Sequence, residues 1–99
     1  MQFKKLHVVF GMVNDKDAIK ILSILPKDAV YYFTKAQIPR ALPEQELAAK
    51  ASTFNLHGNT YPEVNIALKT AYKNAGEKDL IIVCGSVFLV GEVNINSLN

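Results

Sequence analysis

The chain has 99 residues, of which 49% are hydrophobic and 20% are charged, and its formal net charge is +2. This length allows a single domain, 1–99, and the composition is that of a globular protein rather than a disordered segment. The scattered positive charge does not predict nucleic-acid binding, and no apolar run approaches the roughly 20 residues that cross a bilayer. One cysteine excludes an internal disulfide, no Cys/His pair has metal-site spacing, and a reducing, cytoplasmic setting is expected.

Apolar periodicity switches repeatedly between strand and helix patterns along the chain. A short apolar run that ends at Gly11 is typical of a buried parallel strand, and helical spacing then continues until Pro26 stops it. Pro43 and Pro62 each begin a further helix. In chain order, the predicted elements are a strand at 6–10, a helix at 15–25, a strand at 29–34, a helix at 43–54, a weak strand at 57–60, a helix at 62–75 and a strand at 79–84.

Burial is predicted from the same spacing. The residues expected to face the core are Leu47, Ala48, Ala51 and Phe54 in the second helix and Val64, Ala67, Leu68, Ala71 and Tyr72 in the third. The run Asp79–Cys84 is expected to be the most clearly buried strand. The segment 87–95 stays open between the second strand of a hairpin and a helix capped by Ser86.

Alternating strands and helices predict an α/β fold, with a three-layer, Rossmann-like, mostly parallel sheet and flanking helices. Ligands of such sheets bind at the loops that follow the carboxyl ends of strands. Three loops qualify, at 11–17, 34–41 and 84–86. None carries G-x-G-x-x-G or the G-x-x-x-x-G-K-[ST] phosphate loop, so the chain has no nucleotide fingerprint of its own.

Each loop offers side chains that suit an anion. Lys16 can hold a carboxylate or phosphate at the start of a helix, and Arg40 can grip a carboxylate through two N–H groups. Ser86 can donate from its hydroxyl and its backbone N–H. The simpler interpretation is that Lys16, Lys35 and Arg40 are solvated and that Ser86 only caps a helix.

The other chemically capable residues are interpreted as structural. His7 and Cys84 lie in apolar strand patterns and are predicted to belong to the core. His57 lies in a polar stretch and is predicted to be exposed. No Ser-His-Asp or Cys-His arrangement can be assigned, so no catalytic residue is predicted.

Three blocks of sequence carry longer motifs. They read HVVFGMVNDKD at 7–17, a strand that leads into G-x-x-x-D-K-D; YFTKAQIPRAL at 32–42; and CGSVFLVGEV at 84–93, a G-S-x-x-x-x-x-E-V element. In this order and spacing, they resemble the folylpolyglutamate synthase/dihydrofolate synthase family of the Mur ligase superfamily. The resemblance covers nearly the whole chain.

The resemblance implies the C-terminal, substrate-side domain of an ATP-dependent, ADP-forming ligase. In that family ATP phosphorylates a folate-type carboxylate, and the amine of glutamate attacks the acyl phosphate to form an amide. ATP and Mg²⁺ are expected to bind mainly to a separate ATP-binding domain of the same polypeptide, and no cofactor or metal is expected in this chain alone. Closure of the two domains shields the acyl phosphate from water.

Residue by residue, the resemblance implies that Lys16 and Ser86 bind the carboxylate of the incoming glutamate. Further loop positions that match the family, without an assigned role, are Asp15, Asp17, Lys35 and Arg40. The acceptor stays open between dihydropteroate and folate polyglutamate, as do polyglutamate length and oligomeric state.

One departure from the family is informative. The family's C-terminal domain begins with a strand and helix that carry a D-x-G/A-H-N motif, and this sequence contains neither that motif nor the ATP-binding domain. We therefore expect a truncated C-terminal domain that lacks its first strand and helix and is inactive alone. An uncovered sheet edge would favour self-association. The alternative is a stand-alone small α/β binding or dimerisation module without catalysis.

Overall fold

The computed structural model describes residues 4–13 and 18–94. Its elements are β1 (Leu6–Gly11), α1 (Ala18–Ile24), β2 (Val30–Phe33), α2 (Glu44–Ser52), β3 (Gly58–Thr60), α3 (Val64–Asn74), β4 (Leu80–Gly85) and α4 (Val87–Gly91). The described strands form one sheet in the order β3-β2-β1-β4, and every pairing is parallel. The predicted Rossmann-like α/β fold is confirmed.

The strand order places helices on both faces of the sheet. The chain moves in one direction from β1 through β2 to β3, and then returns past β1 to β4. With right-handed crossovers, this reversal puts α1 and α2 on one face and α3 on the other. Leu22 of α1 and Leu47 of α2 accordingly share one hydrophobic cluster. Val64 and Leu68 of α3 belong to a second cluster on the opposite face.

The central strands are buried on both faces, which explains their continuous apolar runs. Val8 and Phe10 of β1 point into the cluster under α1 and α2, whereas Val9 points into the cluster under α3. Tyr31 and Tyr32 of β2 divide in the same way. Each large apolar side chain contributes roughly 1.5–3 kcal/mol on full burial, so β1 and β2, which are buried on both faces, contribute substantially to stability.

The two edges of the sheet differ in length and polarity. Strand β3 is three residues long, polar and exposed, which is typical of an edge that resists further pairing. Gly58 is required there, because a Cβ atom would lie 1.9 Å from the Tyr31 carbonyl oxygen. Strand β4 is six residues long and apolar.

The prediction that the last strand is the most clearly buried one is wrong. Most of β4 is half-buried, and Ile82 is 39% exposed. Its apolar composition matches that of a central strand, but among the described strands β4 pairs with β1 alone and lies at an edge of the sheet. The edge position therefore exposes a strand whose composition is typical of a central strand.

The structure also revises one prediction about α3 and decides the open alternative at α4. Tyr72 is 59% exposed, which corrects its assignment to the core, because the buried stripe of α3 follows Val64, Ala67 and Ala71 and Tyr72 lies beyond it. The open segment 87–95 begins as a helix, α4, with Ser86 as its N-cap. Within 4–13 and 18–94, none of the helices has the length and apolar character that crossing a membrane requires.

The predicted core position of His7 is confirmed, since the side chain is 2% exposed at the amino end of β1. Its Nε2 lies 2.9 Å from Asp79 Oδ2, and its Nδ1 lies 2.9 Å from the Tyr32 hydroxyl. Because an ionised carboxylate only accepts hydrogen bonds, Nε2 donates to Asp79, and Nδ1 is left to pair with the Tyr32 hydroxyl. Asn74 completes the chain by donating to the Tyr32 oxygen over 3.3 Å. His57 is exposed, as predicted.

Candidate functional site

The carboxyl ends of β1 and β4 meet at the point where the strand order reverses. Gly11 and Gly85, the last residues of these strands, are paired in the sheet. In doubly wound sheets, connections leave neighbouring strands towards opposite sides at such a point, and ligands commonly bind there. The first and third predicted loops therefore begin side by side, although they are more than 70 residues apart in sequence.

Gly85 makes this close approach possible. Its φ of +116° favours glycine, and a Cβ atom there would lie 1.9 Å from the Gly11 carbonyl oxygen. The next residue, Ser86, donates its backbone N–H to that same oxygen over 2.9 Å. The glycine of the G-S element is thus needed to start α4 directly above the end of β1.

Ser86 is 8% exposed and caps α4. Its Oγ accepts the backbone N–H of Phe88 over 3.1 Å, an arrangement worth about 1 kcal/mol at a helix start. Because the backbone N–H of Ser86 is bonded to Gly11, the group left for a ligand is the hydroxyl hydrogen. The cap and a ligand contact are compatible, since a hydroxyl can accept one bond and donate another.

Backbone hydrogen bonds join the second loop to the first. Val13 and Ala41 form an isolated antiparallel bridge, and the Leu42 N–H donates to the Met12 carbonyl over 2.8 Å. Arg40, next to the bridge, is exposed, and Lys35 is half-buried. The structure therefore brings the second loop against the described beginning of the first.

The predicted residues Asp15, Lys16 and Asp17 lie outside the described residues. Of the remaining candidates, Ser86 lies at the meeting point of β1 and β4, and Lys35 and Arg40 lie in the loop beside it. Among the described residues, no three His, Cys, Asp or Glu side chains are grouped to hold a metal ion.

Sequence reasoning missed a contact between the second loop and the end of α4. The carboxylate Oε2 of Glu92 accepts the backbone N–H of Gln37 over 2.8 Å, and the Glu92 carbonyl accepts Asn65 Nδ2 over 2.9 Å. Gln37 in turn donates from Nε2 to the Pro62 carbonyl over 2.8 Å. No local pattern signals these bonds, because their partners are 25 to 55 residues apart.

Thr34 is a second feature that the sequence did not reveal. It follows β2 directly, and its backbone N–H donates to the Phe10 carbonyl over 2.9 Å. The side chain is fully buried, and its hydroxyl has no hydrogen-bond partner among the described residues. Burying a hydroxyl without a hydrogen-bond partner costs free energy, so replacing Thr34 by a residue without a hydroxyl is a direct test of this arrangement.

A cleft of about 420 Å³ lies at the other end of the sheet, lined by Tyr72, Ala75, Gly76, Glu77, Asp79 and Ile81. The backbone N–H of Gly76 and, secondarily, the His7 ring hold the pKa of Asp79 below its ordinary value. The Gly76 bond measures 3.0 Å. This cleft adjoins the amino ends of the strands and is separate from the carboxyl-edge loops.

Comparison with known proteins places these features in a family. Residues 1–87 match the family model described as "Mur ligase, glutamate ligase domain". A probable bifunctional folylpolyglutamate synthase/dihydropteroate synthase from Haloferax volcanii is 31% identical over 91 residues, which is 91% of this chain and 11% of that protein.

Solved structures give the same result. E. coli FolC in complex with DHPP and ADP superposes with a TM-score of 0.80 at 25% identity, covering 91% of this chain and 21% of the enzyme. Mycobacterium tuberculosis folylpolyglutamate synthase complexed with ADP and AMPPCP gives 0.80 at 26%, covering 92% and 23%. A bifunctional folylpolyglutamate synthase/dihydrofolate synthase with Mn, AMPPNP and L-glutamate bound gives 0.75 at 29%, covering 87% and 20%.

The chain thus spans about a fifth of the length of these solved enzymes and about a tenth of the Haloferax relative. The match nevertheless extends over most of the chain itself, in both sequence and fold. The resemblance to folylpolyglutamate synthases is confirmed, and the chain belongs to the glutamate ligase domain family of the Mur ligases.

Proposed function

We propose that this chain is the substrate-side, C-terminal domain of an ADP-forming ligase that joins glutamate to a folate carboxylate through an acyl phosphate. The observation that carries the proposal is the pairing of Gly11 with Gly85, which sets Ser86 beside the start of the first loop. Relatives of known structure with this fold hold nucleotides, and one also holds L-glutamate.

In the proposed site, this chain binds and orients glutamate. The ammonium of Lys16 attracts the glutamate carboxylate, and the Ser86 hydroxyl hydrogen bonds to one of its oxygens. Holding the carboxylate leaves the amine directed towards the acyl carbon, and orientation of this kind is a large part of catalysis in such transfers. ATP with Mg²⁺, bound mainly on the partner domain of the same polypeptide, supplies the phosphoryl group.

We propose that the 99-residue chain is inactive without a separate ATP-binding domain. The sequence contains no G-x-x-x-x-G-K-[ST] phosphate loop. We expect no glutamate-dependent ADP release from the chain alone. Release of ADP by the purified chain at a rate above a matched blank would contradict this proposal.

The substrate assignment is tested by NMR titration of the ¹⁵N-labelled chain with L-glutamate, with D-glutamate in parallel. We expect the amide signals of Gly11 and Ser86 to move with L-glutamate, and the movement to weaken in Lys16→Ala and Ser86→Ala. Ser23→Ala is the matched control, because Ser23 is an exposed serine on α1 whose hydroxyl bonds only its own helix. Unchanged signals in the unsubstituted chain would refute glutamate binding.

A polypeptide that also contains the proposed ATP-binding domain, here called the longer polypeptide, allows a kinetic test. There, Lys16→Ala and Ser86→Ala should raise the KM for glutamate, because both remove contacts to its carboxylate. Wild-type kinetics in both variants would remove these residues from the site.

We also propose that the isolated chain self-associates through the outer edge of β4. Leu80 and Ser86 donate their N–H groups towards β1, so the alternate residues Ile81 and Val83 direct theirs outwards, ready to pair with a second copy. Ile82→Lys should reduce the dimer fraction in sedimentation velocity, since edge lysines oppose strand pairing. Ile24→Lys, an exposed isoleucine on α1, is the control, and equal effects of both would contradict the proposal.

A further inference from the structure

The loops after β2 and β3 are joined to the ends of α3 and α4 by one set of hydrogen bonds, formed by Gln37, Asn65 and Glu92 and here called the Glu92 clamp. Gln37 lies in the loop after β2 and bonds Glu92 Oε2 through its backbone N–H over 2.8 Å. Its side chain reaches the Pro62 carbonyl, in the loop after β3, over 2.8 Å. Asn65, in the first turn of α3, donates to the Glu92 carbonyl over 2.9 Å.

The clamp lies at the end of a short helix, next to Asn94, whose backbone N–H donates to Asn65 Oδ1 over 2.7 Å. Helix α4 is five residues long, far shorter than a helix that is stable by itself. Leu89 is fully buried, whereas Phe88 and Val90 are about half exposed. Because α4 is short, the N-cap at Ser86 and the hydrogen bonds at Glu92 both contribute to fixing its direction.

The same carboxylate also fixes the second loop. The Gln37 side chain bonds the Lys35 carbonyl over 3.2 Å, so the backbone around Lys35 is tied to Glu92 through Gln37. Glu92 therefore relates two parts of the carboxyl edge that are 55 residues apart in sequence, namely the loop with Lys35 and the helix that begins at Ser86.

We infer that Glu92 is a positioning residue of the proposed glutamate site. It does not contact the substrate and it provides no proton. It holds α4 and the second loop in one relative position, and thereby sets where the Ser86 hydroxyl lies when glutamate binds. This inference rests on the proposed function for its substrate, whereas the positioning itself can be measured without a substrate.

Two substitutions separate charge from geometry. Glu92→Ala removes the acceptor of the Gln37 N–H. Glu92→Gln keeps an oxygen acceptor on a side chain of the same length, so it should restore most of the wild-type behaviour. Glu77→Ala is the control for loss of one exposed carboxylate, because Glu77 lines the cleft at the amino ends of the strands.

The first measurement is amide hydrogen exchange of the 99-residue chain. In Glu92→Ala we expect exchange at Gln37 and Phe88 to increase about tenfold, which corresponds to about 1.4 kcal/mol, because hydrogen bonds to a charged acceptor are among the stronger ones. Exchange at Val9, in the centre of the sheet, should stay constant. Exchange at Gln37 and Phe88 equal to that of the wild type would overturn the inference.

The second measurement is the affinity of the chain for L-glutamate, determined by NMR titration. It is accompanied by the KM and kcat for glutamate in the longer polypeptide. Glu92→Ala should weaken affinity and raise the KM for glutamate several-fold while kcat stays unchanged, and Glu92→Gln should stay near wild type. A loss confined to kcat, or wild-type affinity in Glu92→Ala, would overturn the inference. If the unsubstituted chain does not bind glutamate, the proposed function fails, and the exchange data alone decide whether Glu92 positions α4 and the second loop.

Discussion

The hydroxyl of Tyr32 is the centre of the buried network at the amino end of the sheet, and its removal offers a sharp test. In Tyr32→Phe the ring remains, so packing against the α3 cluster is retained. The His7 Nδ1 atom loses its hydrogen-bond partner, and Asn74 loses its acceptor. Because His7 is 2% exposed, water cannot replace the lost bond without opening the core, whereas the exposed Asn74 can turn to solvent.

The expected loss of stability follows from this asymmetry. A buried polar atom left without its partner costs about 1–3 kcal/mol, so we expect a decrease of about 2 kcal/mol in the free energy of unfolding. For a domain of this size, that corresponds to a fall in Tm of roughly 8–16 °C. Urea unfolding followed by circular dichroism gives the free energy, and calorimetry gives the Tm.

A matched substitution controls for the loss of a tyrosine hydroxyl as such. Tyr72 is 59% exposed on α3, so Tyr72→Phe should change stability by less than about 0.5 kcal/mol. In a double-mutant cycle, Tyr32→Phe combined with His7→Leu should cost less stability than the sum of the two single substitutions, because each variant removes the same bond. Equal stabilities of Tyr32→Phe and Tyr72→Phe would refute the reasoning.

Three further predictions concern single groups. The pKa of Asp79 is lowered in the folded chain. Its stabilising effect should therefore be present above the ordinary carboxyl pKa of about 3.9 and be lost as the pH falls through the lower folded value. In Asp79→Asn, the free energy of unfolding should fall less steeply as the pH is lowered through this range. Thr34→Val should raise the free energy of unfolding by about 1 kcal/mol, because the hydroxyl has no partner among the described residues; a loss of stability in urea would show that the hydroxyl is bonded. Burial raises the pKa of the Cys84 thiol, so its alkylation by iodoacetamide at pH 8 should be slower in the folded chain than in urea, and equal rates would contradict the burial argument.

Local chemistry allowed much of the fold to be predicted. Proline and glycine positions, together with the alternation of apolar patterns, gave the order of strands and helices, and the three motif blocks gave the family. The cap at Ser86 was one of two open alternatives for the last segment, because Gly85–Ser86 suits both a hairpin turn and a helix start. These features depend on neighbours a few residues apart, and the sequence shows such neighbours directly.

The tertiary structure decided which groups meet. Strand β4 reads as interior but lies at an edge, since a run of isoleucine and valine carries no information about how many strands flank it. His7 finds Asp79 72 residues away, and Glu92 finds Gln37 55 residues away. Parallel strands joined by crossovers bring such pairs together, so partner choice follows from strand order and the direction of each connection, and both are properties of the whole folded chain.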